Sequence, residues 1–285
     1  MERHYRFAGV EIAVSMPEKY FYTNEYHLAP FAVERTADPH RFQFTLADTL
    51  DPPAGDLLID TPGFRIYHAD GERTRYIGTV SSSWEGAYIR ASHRGKEHAV
   101  QVKTGAVMGR IGTKTVLNSI EVEHLTAQAG GFVFHCAYII RDGNAILFTA
   151  PSETGKSTQA ELGRKLRGAM IINGDRAAVR IVDGCAVAEG IPFAGSSSYC
   201  LNRSAPIEAV VYLGQAPATA IRRMRGYEAF ARIWEGCSVS TWDREDVSLV
   251  SAAVQRLAET VPVYHLPCTP DESAVVALEN ALKSR

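Results

Sequence analysis

The chain has 285 residues, a hydrophobic content of 46%, a charged content of 22% and a formal net charge of −2. These values are typical of a globular protein with one large or two medium domains. They disfavour a nucleic-acid-binding protein, which would usually be strongly basic. No apolar run approaches the ~18–20 residues of a membrane span, so no membrane association is expected.

The N-terminus and the cysteines favour a cytoplasmic protein. The first residues, Met1 to Tyr5, contain no apolar segment of the kind found in signal peptides. The five cysteines are odd in number and lack C-x-x-C spacing. This pattern indicates reduced thiols and argues against a disulfide framework or a zinc site.

The first hundred or so residues are expected to be rich in β-strands. Apolar and polar residues alternate from Arg41 to Leu46, which is the period-two pattern of a half-buried strand. Two further stretches, from Phe64 to Ile77 and from Tyr88 to Val102, each contain strand-like runs around a glycine-containing turn and predict hairpins. No catalytic motif is found here. We therefore predict a β-rich N-terminal module, residues 1–113, that supports the rest of the chain or presents a partner.

The pattern changes to helical between Lys114 and Ala129, where apolar residues recur near the 3.6-residue spacing. A strand is predicted from Phe132 to Ile140, and it contains His135. An apolar run at residues 145–148 predicts a second strand. We expect these two strands to be adjacent and to lead into the segment that follows.

That segment, residues 150–158, reads Ala-Pro-Ser-Glu-Thr-Gly-Lys-Ser-Thr and precedes an amphipathic stretch. A strand, a turn ending in Gly-Lys-Ser-Thr and a helix are the layout of a P-loop. In this interpretation Gly155 lets the backbone approach a phosphate, Lys156 reaches the β- and γ-phosphates, and Ser157 is a ligand of Mg²⁺. The predicted nucleotide-binding residues are Ser152, Glu153, Thr154, Gly155, Lys156, Ser157 and Thr158. Ala150 replaces the first glycine of the pattern, and an ordinary strand–turn–helix is the alternative interpretation.

An acidic residue follows the next apolar run, Met170 to Ile172. The run ends in Asn-Gly-Asp-Arg, with the carboxylate at Asp175. In P-loop folds, a carboxylate at the end of a strand beside the loop binds Mg²⁺ or positions the nucleophile. We therefore predict that Asp175 is a metal ligand and the catalytic base, carried by a parallel strand adjacent to the P-loop strand. The alternative is a turn in which Asp175 pairs with Arg176.

Taken in chain order, His135, residues 150–158, residues 173–176 and the Glu-Gly-Ile-Pro turn at 189–192 resemble the C-terminal catalytic domain of HPr kinase/phosphorylase. That domain is itself related to ATP-dependent phosphoenolpyruvate carboxykinase. The resemblance covers roughly residues 115–285. It implies an α/β fold in which a P-loop domain of the HPr-kinase/carboxykinase type, residues 114–285, follows the β-rich N-terminal module.

The resemblance also implies roles for individual residues. Asp175 matches the second of two family aspartates, the base for the substrate serine hydroxyl, whereas Gly174 replaces the first. His135 matches the histidine that poises this aspartate, and Glu189 matches the region of an acidic metal-linked residue. The family's signature stretch is not reproduced after Glu189, so we expect a substrate other than HPr. Some divergent kinases of this superfamily phosphorylate peptides encoded beside them. Because HPr kinases are hexamers, a homo-oligomer is a further expectation.

The resulting prediction is an ATP- and Mg²⁺-dependent kinase that transfers the γ-phosphoryl group to a Ser or Thr hydroxyl of a protein or peptide. Asp175, His135 and Lys156 are the predicted catalytic residues, and Ser157, Asp175 and Glu189 the predicted metal ligands. One alternative is a small-molecule kinase, which would act on a free metabolite without a protein partner. The other is a non-catalytic nucleotide-binding regulator, which would bind ATP without transferring phosphate.

Overall fold

The computed structural model describes residues 1–18, 27–78, 83–106, 113–193, 195 and 199–284. The chain forms two compact units. The first comprises residues 1–6 and 10–121, and the second comprises residues 7–9 and 122–285. Over the described residues the structure is a mixed α/β protein with two large mixed sheets and six helices. None of the helices in these ranges combines the length and the apolar character that crossing a bilayer requires.

The first unit contains one large sheet. In chain order its strands are β1 (Glu2–Phe7), β2 (Val10–Ser15), β3 (Ala32–Val33), β4 (His40–Ala47), β5 (Asp56–Asp60), β6 (Phe64–Ala69), β7 (Glu72–Gly78), β8 (Ala87–Arg94) and β9 (Glu97–Lys103). Their order across the sheet is β3-β1-β2-β4-β9-β8-β7-β6-β5. The predicted strand at 41–46 is confirmed as part of β4, and both predicted hairpins are confirmed as β6–β7 and β8–β9. Helix α1 (Thr113–Ser119) also belongs to this unit.

The second unit carries the remaining elements. They are α2 (Val122–Gln128), β10 (Gly131–His135), β11 (Ala137–Arg141), β12 (Asn144–Thr149), α3 (Lys156–Arg167), β13 (Met170–Asn173), β14 (Arg176–Val182), β15 (Cys185–Glu189), β16 (Ser204–Gln215), β17 (Arg222–Met224), α4 (Gly226–Trp234), β18 (Cys237–Ser238), α5 (Arg244–Thr260), β19 (Val263–Cys268) and α6 (Glu272–Lys283). The predicted strand at 145–148 and the helix after the Gly-Lys-Ser-Thr turn are confirmed as β12 and α3.

The core of this unit lies on both faces of its sheet. Successive residues of a strand point to opposite faces, and β12 shows this directly. Leu147 enters an apolar cluster that contains Val254 of α5. Its neighbour Phe148 enters a second cluster that contains Ala160 of α3 and Leu278 of α6. Because both faces of β12 are covered, the loop that follows this strand starts from a tightly held end.

Four strands of this sheet point in one direction. β12 is parallel to β16, which is parallel to β19. β11 lies between β12 and β13 and is antiparallel to both, so β13 runs the same way as β12. The carboxyl ends of β12, β13, β16 and β19 therefore reach the same edge, where ligands of open α/β sheets bind. The prediction that the strand preceding Asp175 lies directly beside the P-loop strand is wrong, because β11 separates the two.

The position of β11 between β12 and β13 results from a tight turn that joins β11 to β12. Asp142 and Gly143 both have positive φ angles, 50° and 80°. Two such residues in succession favour a two-residue hairpin turn. The turn folds β11 back against β12, and that side of β12 is then no longer open to β13.

The helix predicted over Lys114–Ala129 is divided into α1 and α2. The break falls at Glu121, whose φ is +48°, a value that no helical residue adopts. Its carboxylate is buried and forms ion pairs with Arg73 and Arg75. These ion pairs stabilise the non-helical conformation of Glu121. The 3.6-residue spacing of apolar residues does not by itself reveal such a break.

The strand predicted over Phe132–Ile140 is also divided, with Cys136 between β10 and β11. β10 pairs with β14 and β18, whereas β11 pairs with β12 and β13. At the break, the Cys136 N–H donates a hydrogen bond to the carbonyl of Asp175 at 3.0 Å. The two halves therefore serve different neighbours, and the break lies beside the predicted catalytic carboxylate.

Candidate functional site

The loop between β12 and α3 has the backbone geometry of an anion cradle. Glu153 and Gly155 have φ angles of +64° and +114°. Gly155 is the N-cap of α3, without a side-chain cap hydrogen bond. Apart from its two chain neighbours, no described residue has a heavy atom within 4 Å of the position that a Cβ of Gly155 would take, so the space beside it is open in this part of the structure. The first N–H groups of a helix have no partner within the helix and carry its positive dipole end. This loop can therefore receive an anion.

Lys156 brings a buried positive charge to this loop. It is only 8% exposed, and its Nζ donates hydrogen bonds to the carbonyls of Ala150 at 2.9 Å and Pro151 at 3.2 Å. Burial lowers the pKa of Lys156, and the negative charge of Asp175 acts in the opposite direction. Among the described residues, no carboxylate lies within ion-pair distance of this ammonium. Within the described residues, the polar atoms in direct contact with this ammonium are carbonyl oxygens of its own loop.

Asp175 lies just beyond the end of β13 and contacts two basic side chains. One carboxylate oxygen is 3.5 Å from Nε2 of His135, and the other is 3.3 Å from Nε of Arg176. The hydrogen bond with His135 lowers the pKa of Asp175, and Arg176 adds to this effect against the opposing influence of burial. Asp175 is therefore ionised at neutral pH. Its side chain is 33% exposed, so its carboxylate is accessible to another molecule.

A buried asparagine fixes the turn that presents Asp175. The side-chain oxygen of Asn173 accepts the N–H groups of Asp175 at 2.9 Å and Arg176 at 3.0 Å. Its amide nitrogen donates to the carbonyls of Ile191 and Phe193. An Asn side chain that bonds to the backbone two residues later is a recognised turn device. This role of Asn173 was not predicted from the sequence, although the Asn-Gly-Asp run is a turn signal.

His135 is hydrogen-bonded to the end of β12. The hydroxyl of Thr149, the last residue of β12, donates to the carbonyl of His135 at 3.0 Å. Across the β10–β14 ladder, His135 pairs with Arg176, the neighbour of Asp175. The structure thus brings His135 and Asp175 together, and their catalytic roles stay predictions.

Glu189 lies apart from this group. It is the last residue of β15, and its carboxylate is 3.2 Å from Nη1 of Arg180. It faces Ala178 across the β14–β15 ladder, two residues and about 7 Å along β14 from Arg176. In the part of the chain that the structure describes, no hydrogen bond or ion pair joins Glu189 to Asp175. Its metal-binding role stays a prediction.

A cavity of about 620 Å³ adjoins the loop, a size typical of small-molecule pockets. It is bounded by the loop, the first turns of α3 and the carboxyl ends of β16 and β19, and its lining includes Thr154, Thr158, Gln159, Gln215 and Cys268. Gln159 and Gln215 were not predicted from the sequence as site residues, because only the sheet topology brings β16 and β19 to this edge. Gln215 donates from its side chain to the carbonyl of Glu153 at 3.4 Å.

The remaining predicted residues lie in the loop and the first turn of α3, and most of them are exposed. Ser152, Glu153, Ser157 and Thr158 are exposed, and Thr154 is half-buried. Ser157 lies in the first turn of α3, one residue beyond the buried lysine. An exposed hydroxyl and an ionised carboxylate are oxygen donors of the kind that Mg²⁺ binds. Ser157 and Asp175 therefore fit the chemistry of a magnesium site.

Comparison with known proteins gives distant structural relationships alone. No family model matches the chain, and no curated protein sequence matches it. Among solved structures, the chain is similar to the HPr(Ser) kinase/phosphatase from Coxiella burnetii, with 11% sequence identity and a TM-score of 0.32. The match covers 53% of this chain and 88% of that protein.

Proposed function

We propose that the chain is an ATP- and Mg²⁺-dependent phosphotransferase that transfers the γ-phosphoryl group to a Ser or Thr hydroxyl of a protein or peptide. The observation that carries this proposal is the buried ammonium of Lys156, which has no carboxylate partner among the described residues. A buried charge is costly unless it is compensated. An anionic phosphate bound beside the helix N-terminus compensates it.

Each part of the site has a role in nucleotide binding. The N–H groups of the loop and Lys156 hold the β- and γ-phosphates, and the adjoining cavity receives the nucleoside. Ser157 and Asp175 are the oxygen ligands for Mg²⁺, which neutralises phosphate charge when bound. The open space beside Gly155 supports this assignment, because a side chain there would stand where a phosphate approaches.

Asp175 acts on the acceptor. Its carboxylate accepts a hydrogen bond from the attacking hydroxyl and takes that proton as the new oxygen–phosphorus bond forms. The bond from the γ-phosphorus to its bridging oxygen breaks, and ADP leaves with the electron pair. A loose phosphoryl-transfer transition state makes little demand on the base. A carboxylate with a lowered pKa is therefore suited to orient the hydroxyl, and His135 and Arg176 hold it in place.

The exposure of the catalytic pair favours a polypeptide acceptor. The side chains of His135 and Asp175 are 36% and 33% exposed, so a Ser or Thr side chain on another chain has access to the carboxylate. A metabolite kinase would instead be expected to enclose its acceptor and exclude water.

The test is transfer of label from γ-labelled ATP, with Mg²⁺, to a library of Ser- and Thr-containing peptides. We expect labelled peptides with the wild-type chain and with Lys165→Met, which alters an exposed lysine of the same helix. We expect none with Lys156→Met. Label found on a free metabolite would favour the small-molecule kinase, and ATP binding without any transfer would favour the regulator. Failure of the wild-type chain to bind ATP would refute the site assignment itself.

A further inference from the structure

A second cluster of potential ligands lies between helices α2 and α5. His124 belongs to α2, Asp243 is the N-cap of α5, and Asp246 lies in the first turn of α5. One ligand atom from each of these three side chains lies within 4.8 Å of the other two. Nδ1 of His124 is 2.9 Å and 3.0 Å from the two carboxylate oxygens of Asp246. None of these residues belongs to the proposed nucleotide site.

Helix capping accounts for only one member of the cluster. Oδ1 of Asp243 accepts the N–H groups of Glu245 at 3.0 Å and Asp246 at 3.3 Å, which is ordinary N-cap behaviour. Asp246, in contrast, is a residue of the first turn of α5, and its side chain is buried in the protein interior. His124 comes from a different helix, 122 residues earlier, so the cluster is assembled by tertiary packing.

The buried carboxylate of Asp246 indicates a cation. Asp246 is only 1% exposed. Among the described residues, no Arg or Lys lies within ion-pair distance of it, and His124 is its side-chain partner. A carboxylate removed from water loses its hydration and needs compensating positive charge. No such charge is supplied from outside the cluster by the part of the chain that the structure describes.

We propose that His124, Asp243 and Asp246 bind one divalent transition-metal ion. An imidazole nitrogen with carboxylate oxygens is a donor set for ions such as Zn²⁺ and Co²⁺. Three protein ligands leave coordination positions for water. Ligand atoms around one ion at ~2.1 Å are at most about 4.2 Å apart. The separations of the three groups, all within 4.8 Å, are therefore near this limit or below it, and small side-chain adjustments bring them to one ion.

The ion joins α2 to the start of α5. Glu123, the neighbour of His124 in α2, is 3.6 Å from Nη1 of Arg176, and Arg176 contacts Asp175. The site thus stabilises α2, the helix whose residue Glu123 holds Arg176 in place. We assign it a structural role, independent of nucleotide binding.

The test uses the full chain, freed of metal with a chelator and of nucleotide, and titrated with Co²⁺. We expect one equivalent to bind with visible d–d absorption bands, to be displaced by Zn²⁺, and to raise the melting temperature. The free cysteines are a competing source of metal binding. Binding of Co²⁺ by cysteine would produce a thiolate-to-cobalt charge-transfer band. If all the Co²⁺ that binds gives this band, the proposal is overturned.

Four variants locate the ion. Asp246→Asn and His124→Asn should each weaken Co²⁺ binding by more than the roughly 10–100-fold that loss of an outer-shell partner costs. Asp183→Asn, a charge-matched change in an exposed turn, should leave it unchanged. Asp175→Asn should also leave it unchanged, which separates this site from the proposed magnesium site.

The histidine variant keeps the test decisive if Asp246→Asn does not fold. The His124 side chain is 22% exposed, and asparagine can replace its Nδ1 hydrogen bond. Absence of binding by the wild-type chain at millimolar Co²⁺ would overturn the proposal, as would unchanged affinity in His124→Asn.

Discussion

Replacing Asp175 by Asn tests the catalytic part of the proposed function. Asparagine keeps the size of the side chain and one acceptor oxygen but removes the charge and the basicity. Proton transfer by a positioned side chain typically contributes ~10²–10⁴-fold in rate, or about 2.7–5.5 kcal/mol of transition-state stabilisation. We therefore expect phosphoryl transfer to fall by about that factor. His135→Ala should cause a smaller loss, because His135 acts only through Asp175.

The structure indicates that this substitution leaves the fold intact. Asp175 contacts His135 at 3.5 Å and Arg176 at 3.3 Å, and all three side chains are about one-third exposed. Exposed ion pairs are typically worth ~0.2–1 kcal/mol each. Losing both costs at most about 2 kcal/mol, against the ~5–15 kcal/mol that holds a domain folded.

Binding of metal-free ATP should survive for an electrostatic reason, whereas Mg²⁺-dependent affinity should fall, because Asp175 is also a proposed magnesium ligand. The negative charge of Asp175 acts on Lys156 and therefore also repels a γ-phosphate bound there. Removing this charge does not weaken the loop, whose N–H groups and lysine are unchanged.

The assay is single-turnover transfer from γ-labelled ATP to an acceptor peptide taken from the labelled library. An ATP titration by calorimetry accompanies each rate, and Asp183→Asn serves as the charge-matched control. Transfer at the wild-type rate by Asp175→Asn would refute the assignment of the base. Equal losses of ATP affinity and transfer would instead show that Asp175 acts in binding.

Three further predictions concern the same site. Lys156→Met should weaken ATP binding strongly without lowering the melting temperature of the nucleotide-free chain. Burial lowers the pKa of Lys156, so its positive charge opposes folding. Calorimetry measures the ATP affinity and thermal melting the stability, and a lower melting temperature would contradict this prediction. Ser157→Ala should reduce Mg²⁺-dependent ATP affinity more than metal-free affinity, and equal losses in the two titrations would exclude Ser157 as a ligand. The hydrogen bond with His135 lowers the pKa of Asp175, so its stabilising and catalytic contributions are lost only as pH falls below the usual range of an aspartate and through that lowered pKa. A loss of rate between pH 8 and 5 that vanishes in Asp175→Asn would contradict this.

Local patterns predicted many of the elements. The alternation in β4, the two hairpins β6–β7 and β8–β9, and the strand and helix around the loop were all predicted from short windows of sequence and are confirmed. Such predictions succeed because apolar periodicity and turn residues act over a few neighbouring positions. Predictions from the same short windows were wrong where contacts with distant residues outweighed the local preference. Glu121 breaks a helical pattern to reach Arg73 and Arg75, and the break at Cys136 sends β10 and β11 to different neighbours.

The candidate site shows the same division. Its residue types were evident from the Gly-Lys-Ser-Thr turn and from the carboxylate after the next apolar run. Their environment was not evident. The contribution of Asn173 depends on carbonyls near residue 192, and the cavity depends on β16 and β19 arriving at the same edge as β12.

The sequence by itself therefore determined many of the strands, turns and helices and the reactive groups that they carry, because those properties depend on residues a few positions away along the chain. Only the tertiary structure decided that β11 separates β12 from β13, that His135 meets Asp175, and that Lys156 is buried without a carboxylate partner among the described residues. It also brought His124 to Asp246 across 122 residues. Such meetings depend on strand order, register and burial, and these arise from the packing of distant segments against one another.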